Sequence, residues 1–419
     1  MLNKLILVTC LGAMLEYFDF TLVLLFANDL AKLFLPEADQ SGFLWIIAIH
    51  TAGYFIRPLG GIAFSHFGDR IGRKRLFRIS ILIMTFATLS MGLLPTYATI
   101  GYLATVLLII LRSLQGISVG GEFPGAVVFA AEHVPHHLKG LITSAIGACG
   151  LLGVMLASTI GMLTHSLLSE DELYNWGWRL PFIAGSILGV SGYIMRRSLS
   201  ETPLFSRLIA AKQVVSIPLL TLFQTQGKTL AIAMGMNIAS VTMLSMYTFM
   251  VPYATRHLGM HQSNVYEIMT ATLLMTAMLT LVFGWLSDRG INRRLALLIS
   301  NILYLLVAWP VFLLLSDHQL FTVGLLTLLP TALACGNGLV TLANLFNTNV
   351  RYTGLAVSMN ISICLIAGST PYILEILSVD GKPFGFLVMM LVSAVIGIIA
   401  TWHLPETRVN DYQLRKQTT

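Results

Sequence analysis

Charge is what this chain has least of. Lys, Arg, Asp and Glu make up 11% of its 419 residues, against roughly 25% in an ordinary soluble domain. That composition excludes a water-soluble enzyme of this length. Cysteine is scarcer still: Cys10, Cys149, Cys335 and Cys364 lie far apart in apolar surroundings. No spacing among them suits a disulfide framework or a structural metal site, so they read as small buried hydrophobes. A nucleotide loop is missing too. The run Gly116-Ile117-Ser118-Val119-Gly120-Gly121 has no strand before it and no lysine at Walker spacing. It sits inside an apolar segment, where small residues let helices approach closely. With no nucleophile–base pair, metal-ligand set or sizeable soluble region, neither an enzyme nor a cofactor is expected.

What fills the chain instead is apolar residue, 56% of the total, with a mean hydropathy of +0.80. A membrane-spanning helix needs about 20 such residues. Twelve windows qualify: 5–28, 43–66, 76–95, 101–130, 141–165, 179–197, 228–255, 265–287, 295–315, 320–346, 354–378 and 383–404. The expectation is an all-α membrane protein of twelve transmembrane helices. Glu16 and Asp19 interrupt the first window and no small-residue cleavage site follows, so it reads as a retained helix, not a signal peptide.

The net charge of +6 is a matter of placement. Of the 25 basic residues, nineteen fall in loops on one side, Arg196 and Arg197 after span six among them. Only Lys32, Arg179, Arg256 and Lys382 fall on the other side, and Arg57 and Arg112 lie within spans. The positive-inside rule then puts both termini in the cytoplasm, and no nucleic-acid partner is implied.

Two short polar runs show how the chain is built. Gly68-Asp69-Arg70-Ile71-Gly72-Arg73-Lys74-Arg75 is echoed 219 residues later by Ser287-Asp288-Arg289-Gly290-Ile291-Asn292-Arg293-Arg294. Each sets an acid and a basic cluster between two apolar spans, as a tight hinge would. Repetition half a chain apart indicates a duplicated unit, the plan on which many secondary transporters rock two halves about a central site. The expected organisation is a six-helix bundle over 1–197, a linker over 198–227, a second bundle over 228–404 and a tail over 405–419.

Five charges sit where lipid tolerates them poorly: Glu16 and Asp19 in span one, Arg57 in span two, Arg112 and Glu122 in span four. Each costs about 2.5–3.5 kcal/mol at mid-bilayer unless it finds a partner or a wet cavity. Glu16 and Asp19, three apart, share a helix face. Arg is the side chain that clamps a carboxylate bidentately. Arg57 and Arg112 are therefore candidates for binding a carboxylate substrate, and Glu16, Asp19 and Glu122 for carrying a proton. The competing account is that acids and arginines merely neutralise one another. In the second half Asn237 and Tyr247 are candidate substrate contacts, and near the charges Tyr17 and Tyr54 are candidate aromatic walls.

The first hinge resembles the signature loop of the major facilitator superfamily. Leu15-Glu16-Tyr17-Phe18-Asp19-Phe20, Arg57-Pro58-Leu59-Gly60-Gly61, Gln115 to Phe123, Trp176 to Phe182 and Val350-Arg351-Tyr352 are similar to its metabolite–proton symporter family, which includes proline/betaine, α-ketoglutarate, shikimate and citrate carriers. The resemblance runs from span one to span twelve. It implies two pseudo-symmetric six-helix bundles and uptake of a metabolite with a proton. It also implies a conformational gate in which Asp69 meets a helix N-terminus of the other half and Arg73 pairs with Glu132. The remaining hinge positions, Gly68, Arg70, Gly72, Lys74 and Arg75, with Asp288 and Arg289 in the second hinge, belong to that gate. The second hinge departs from the pattern, reading Ile291-Asn292 for Gly-Arg.

The function expected is proton-coupled uptake of a small carboxylate-bearing metabolite, an organic acid or a zwitterion such as proline or betaine. It would be driven by the proton motive force, by a monomer in the bacterial inner membrane. Uptake of a polycarboxylate siderophore and proton-coupled export of a drug or metabolite remain open alternatives.

Overall fold

The computed structural model describes residues 2–36, 40–71, 73–197, 218–347, 350–379 and 382–405, with side chains left out at 2–5, 40–41, 68–74 and 379. Gly72, the side chains of Asp69, Arg70, Arg73 and Lys74, most of the expected linker and nearly all of the tail lie outside the described residues.

Among the described residues, twelve helices of 16 residues or more carry the fold. They are α1 (Leu2–Leu25), α2 (Gln40–Ile71), α3 (Arg73–Leu93), α4 (Tyr102–His133), α5 (Lys139–Leu167) and α6 (Leu180–Arg196). The second set is α7 (Pro218–His257), α8 (Gln262–Asp288), α9 (Arg293–Ser316), α10 (Leu320–Leu345), α11 (Arg351–Ile366) and α12 (Phe384–Trp402). Eleven segments are long and apolar enough to cross a bilayer, α11 being counted with the turn and short helix that carry it on to Ile376. The exception is α6, whose 17 residues rise about 25 Å. The chain is a multi-pass membrane protein.

Packing follows a repeated scheme. In the first half α2 lies on α4, α3 on α6 and α1 on α5; six helices later α8 lies on α10, α9 on α12 and α7 on α11. The halves meet where α5 runs along α8 and α11 along α2. Close approach of α2 to α4 depends on glycine: a Cβ at Gly116 would collide with the carbonyl of Gly53, and one at Gly120 with that of Arg57. Small residues thus let two backbones touch.

Helix α7 begins inside the expected linker, ten residues ahead of the predicted boundary, and kinks at Gln226 (φ −134°, ψ 27°). Pro218 suits a first helical position. The turn before the kink buries Pro218 and Leu222 while Leu220 and Phe223 face outward. Its two-faced character escapes a search for uniform apolar windows. In the second hinge, Asn292 caps α9 by accepting a hydrogen bond from the Leu295 amide at 3.2 Å, which gives the departure from the Gly-Arg pattern a structural use.

Candidate functional site

Glu16 and Arg57 form a buried ion pair at the contact between halves. Arg57 Nη2 donates to Glu16 Oε1 at 3.1 Å, with side-chain exposures of 5% and 1%. Arg57 Nε also donates to Asn360 Oδ1 at 3.2 Å, so a second-half side chain completes the arginine's setting. Asn360 in turn donates to the carbonyls of Gly120 and Ala356. Glu16 Oε2 has no hydrogen-bond partner.

The pair borders a cavity of about 40 Å³, also lined by Tyr17, Phe20 and Tyr54, by Ser245 and Thr248 from α7, and by Ile363 from α11. A second void of about 70 Å³ shares Tyr17 and Ile363 and adds Asn237, whose amide nitrogen is buried and unpartnered. A water's share of liquid volume is about 30 Å³. Neither void admits a metabolite until the halves move.

The other buried charges are placed differently. Asp19 accepts from Thr88 Oγ1 at 2.9 Å, and Gln115 Nε2 donates to that hydroxyl at 2.8 Å. Arg112 donates to Gln115 Oε1 (3.0 Å), the Phe20 carbonyl (2.9 Å) and His50 Nδ1 (2.7 Å). Its guanidinium carbon is 3.6 Å from the Phe20 ring centroid, while that of Arg57 is 5.5 Å away. The two arginines are thus neighbours of one ring in two networks, and Arg112, fully buried, lines neither void. Only Glu16, of the α1 acids, reaches the cavity.

Glu122 is ion-paired with Arg196 and accepts from Ser80 Oγ at 2.5 Å. Arg196 donates to the Phe77 carbonyl at 2.9 Å and stacks over its ring. This corrects the placement of Arg196 in a cytoplasmic loop. It ends α6, and a helical side chain leans back toward the N-terminus, here into the core. Tyr247 bonds Thr327 at 2.8 Å and borders an apolar void within the second half, apart from the Glu16 cavity.

The face bearing the hinges is closed by charge. Asp288 accepts from the amides of Gly140 (2.7 Å) and Leu141 (2.8 Å), placing a carboxylate at the positive end of the α5 dipole. Arg293 lies 3.4 Å from the same carboxylate, Arg289 covers Trp285 at 3.9 Å, and Arg75 is exposed. The acid-to-helix contact expected of Asp69 is thus made by its second-half counterpart. Glu132 pairs with Arg351 at 3.4 Å; the side chain of Arg73, its expected partner, lies outside the description. On the opposite face the halves meet through neutral bonds: Asn28 to Thr255 (3.4 Å), Tyr266 to the Leu25 carbonyl (3.1 Å) and Thr51 to the Gly368 carbonyl (2.7 Å).

Among the second-half polar residues only Asn237 and Tyr247 were singled out from the sequence; Asn360, which holds Arg57, and His50, which accepts from Arg112, were not. Asn360 stands in the run Asn360-Ile361-Ser362, whose polarity was the available signal.

Two family profiles match the chain, "Sugar (and other) transporter" over residues 5–216 and "Major Facilitator Superfamily" over 230–419. The proline/betaine transporter of Salmonella typhimurium is 33% identical across 97% of this chain and 84% of its own length. The chain belongs to the major facilitator superfamily. Other members similar to it include the inner membrane metabolite transport protein YhjE of Escherichia coli, 33% identical over 88% of this chain and 87% of that protein. The shikimate transporter of the same species is 28% identical over 86% and 84%. Among solved structures, the proton:xylose symporter XylE bound to 6-bromo-6-deoxy-D-glucose superposes with a TM-score of 0.77 at 16% identity, covering 97% of both chains. The superfamily fold is shared and the chain is a transporter, not an enzyme.

Proposed function

We propose that this transporter takes up a small carboxylate-bearing metabolite together with a proton, and that Glu16 and Arg57 couple the two. The carrying observation is the buried pair itself, bordering a cavity that α1, α2, α7 and α11 line jointly. With Glu16 ionised, the guanidinium is occupied. Protonating Glu16 removes its hold, and the freed donors then suit a substrate carboxylate, so the proton and the carboxylate enter together; the site's net charge is unchanged with an organic anion and rises by one with a zwitterion. Removing one partner without the other leaves a buried, uncompensated charge, which is strongly unfavourable.

Phe20, Tyr17 and Tyr54 supply aromatic faces for a cationic group, which favours a zwitterion, and the similarity to a proline/betaine transporter points the same way. The recurrence of packing contacts six helices apart supports twelve spans in two six-helix bundles. The basic bias of the hinge-side loops supports a cytoplasmic hinge face with both termini inside, and similarity to an inner membrane transport protein supports a bacterial inner-membrane site.

The test is uptake of radiolabelled proline, glycine betaine, shikimate and 2-oxoglutarate into proteoliposomes. At least one is expected to accumulate only under an inward proton gradient and to leak out when an uncoupler is added. Accumulation that ignores the gradient sinks the coupling.

A further inference from the structure

A cavity of about 450 Å³, several times the volume of the two voids beside Glu16 and Asn237, lies elsewhere. It opens at the face opposite the hinges and is lined from both halves. Two cations border it. Lys32, on the short helix after α1, donates to Tyr174 Oη at 2.8 Å and stands 4.7 Å from that ring's centroid. Arg256, in the last turn of α7, lies 4.1 Å over Phe43. Arg256 is loosely ion-paired, and Lys32 is linked to Asp29 through the Tyr174 hydroxyl. Among the described residues Lys32 has no acid within ion-pair distance, and Arg256 reaches Glu375 only through Nε, at 3.7 Å.

The acid at the cavity's base is already occupied. Asp29, 3% exposed, accepts from Tyr174 Oη at 3.2 Å and from His165 Nε2 at 3.2 Å. Glu170 is the other acid on the lining. Among the described residues Lys32 donates one hydrogen bond and the Arg256 Nη groups donate none, so donors remain on two walls, each backed by an aromatic ring.

We infer that this vestibule is a capture site for small carboxylates, in which Lys32 from the first half and Arg256 from the second take the anionic end before the solute reaches Arg57. Asp29 and Glu170 on the same lining offset the two cations in net charge, so capture rests on the directed donors of Lys32 and Arg256, with a salt-dependent gain in local anion concentration of about tenfold, the low end for charged clefts. The role of antechamber rests on the transport reading above; the binding itself does not.

Trifluoroacetate, followed by fluorine NMR line broadening on the full-length protein in micelles, probes carboxylate binding without any transport. Saturable broadening is expected in wild type and in Arg57→Ala, where the central site is disabled. It should weaken about tenfold in Lys32→Gln/Arg256→Gln and return in Lys32→Arg/Arg256→Lys. In proteoliposomes the Gln pair should raise KM about tenfold at low salt, much less at high salt, with Vmax unchanged. Broadening that is absent from wild type, or unaltered by the Gln pair, overturns the inference, as does an unchanged KM. Broadening that depends on Lys32 and Arg256 in a protein that transports none of the panel supports the capture site while sinking the transport reading.

Discussion

Arg57→Met is the most informative perturbation. The pair it breaks is 3.1 Å long, with both side chains at least 95% buried. The substitution strands Glu16 without its countercharge, and breaking such a pair costs about 3–5 kcal/mol. Glu16→Gln alone strands the guanidinium and falls in the same range, softened by Asn360, which still accepts from Nε. The double variant removes both charges at similar volume, a change that is often near neutral. The four proteins close a cycle with a coupling of at least about 2 kcal/mol, read from reversible SDS unfolding of purified protein in mild detergent. Glu16→Gln should also catalyse counterflow exchange yet fail at uphill uptake, because its amide has no proton to give. Effects that add to within about 0.5 kcal/mol, or uphill uptake by Glu16→Gln, refute the coupling of proton and substrate through this pair.

Three further outcomes follow from other parts of the fold. Asp288→Asn weakens the anchorage at the α5 N-terminus by about 1 kcal/mol, so Ser144→Cys, placed beside Gly284, should be alkylated several-fold faster in that background. Gly116→Leu drives a side chain into the Gly53 carbonyl and should abolish recovery of folded protein, judged by a monodisperse size-exclusion peak. The Glu172 carboxyl is held below its usual range by the Ser169 amide and hydroxyl. A pKa lower in the fold than in the unfolded chain means the capping box Ser169–Glu172 supports its helix above the unfolded value and loses that support as pH falls through the folded one; the protection factors of amides 170–173, measured against the intrinsic exchange rate at each pH, should fall only in acid.

The helices and their repetition were legible because lipid allows few alternatives: long apolar windows with polar hinges leave little else to build. Burial of Glu16, Asp19, Arg57, Arg112 and Glu122 was equally plain from depth. Partnership was not, because depth says nothing of azimuth. Residues three apart on a helix diverge by about 60°, enough to turn Glu16 toward α2 and Asp19 toward Thr88 on α3. Arg196 was misjudged because hydropathy stops at the polar residue, whereas its long side chain reaches back past its own Cα to Glu122. The share of Arg57 taken by Asn360 spans 303 positions, and no local pattern encodes a contact between halves.

That shared amide has a kinetic consequence. Asn360 holds Arg57 through its oxygen and the Gly120 carbonyl through its nitrogen, so any swing of α11 away from α2 and α4 releases both at once. Unlatching the hinge side and liberating guanidinium valence become a single event, and a stopped-flow trace should resolve one phase for the two.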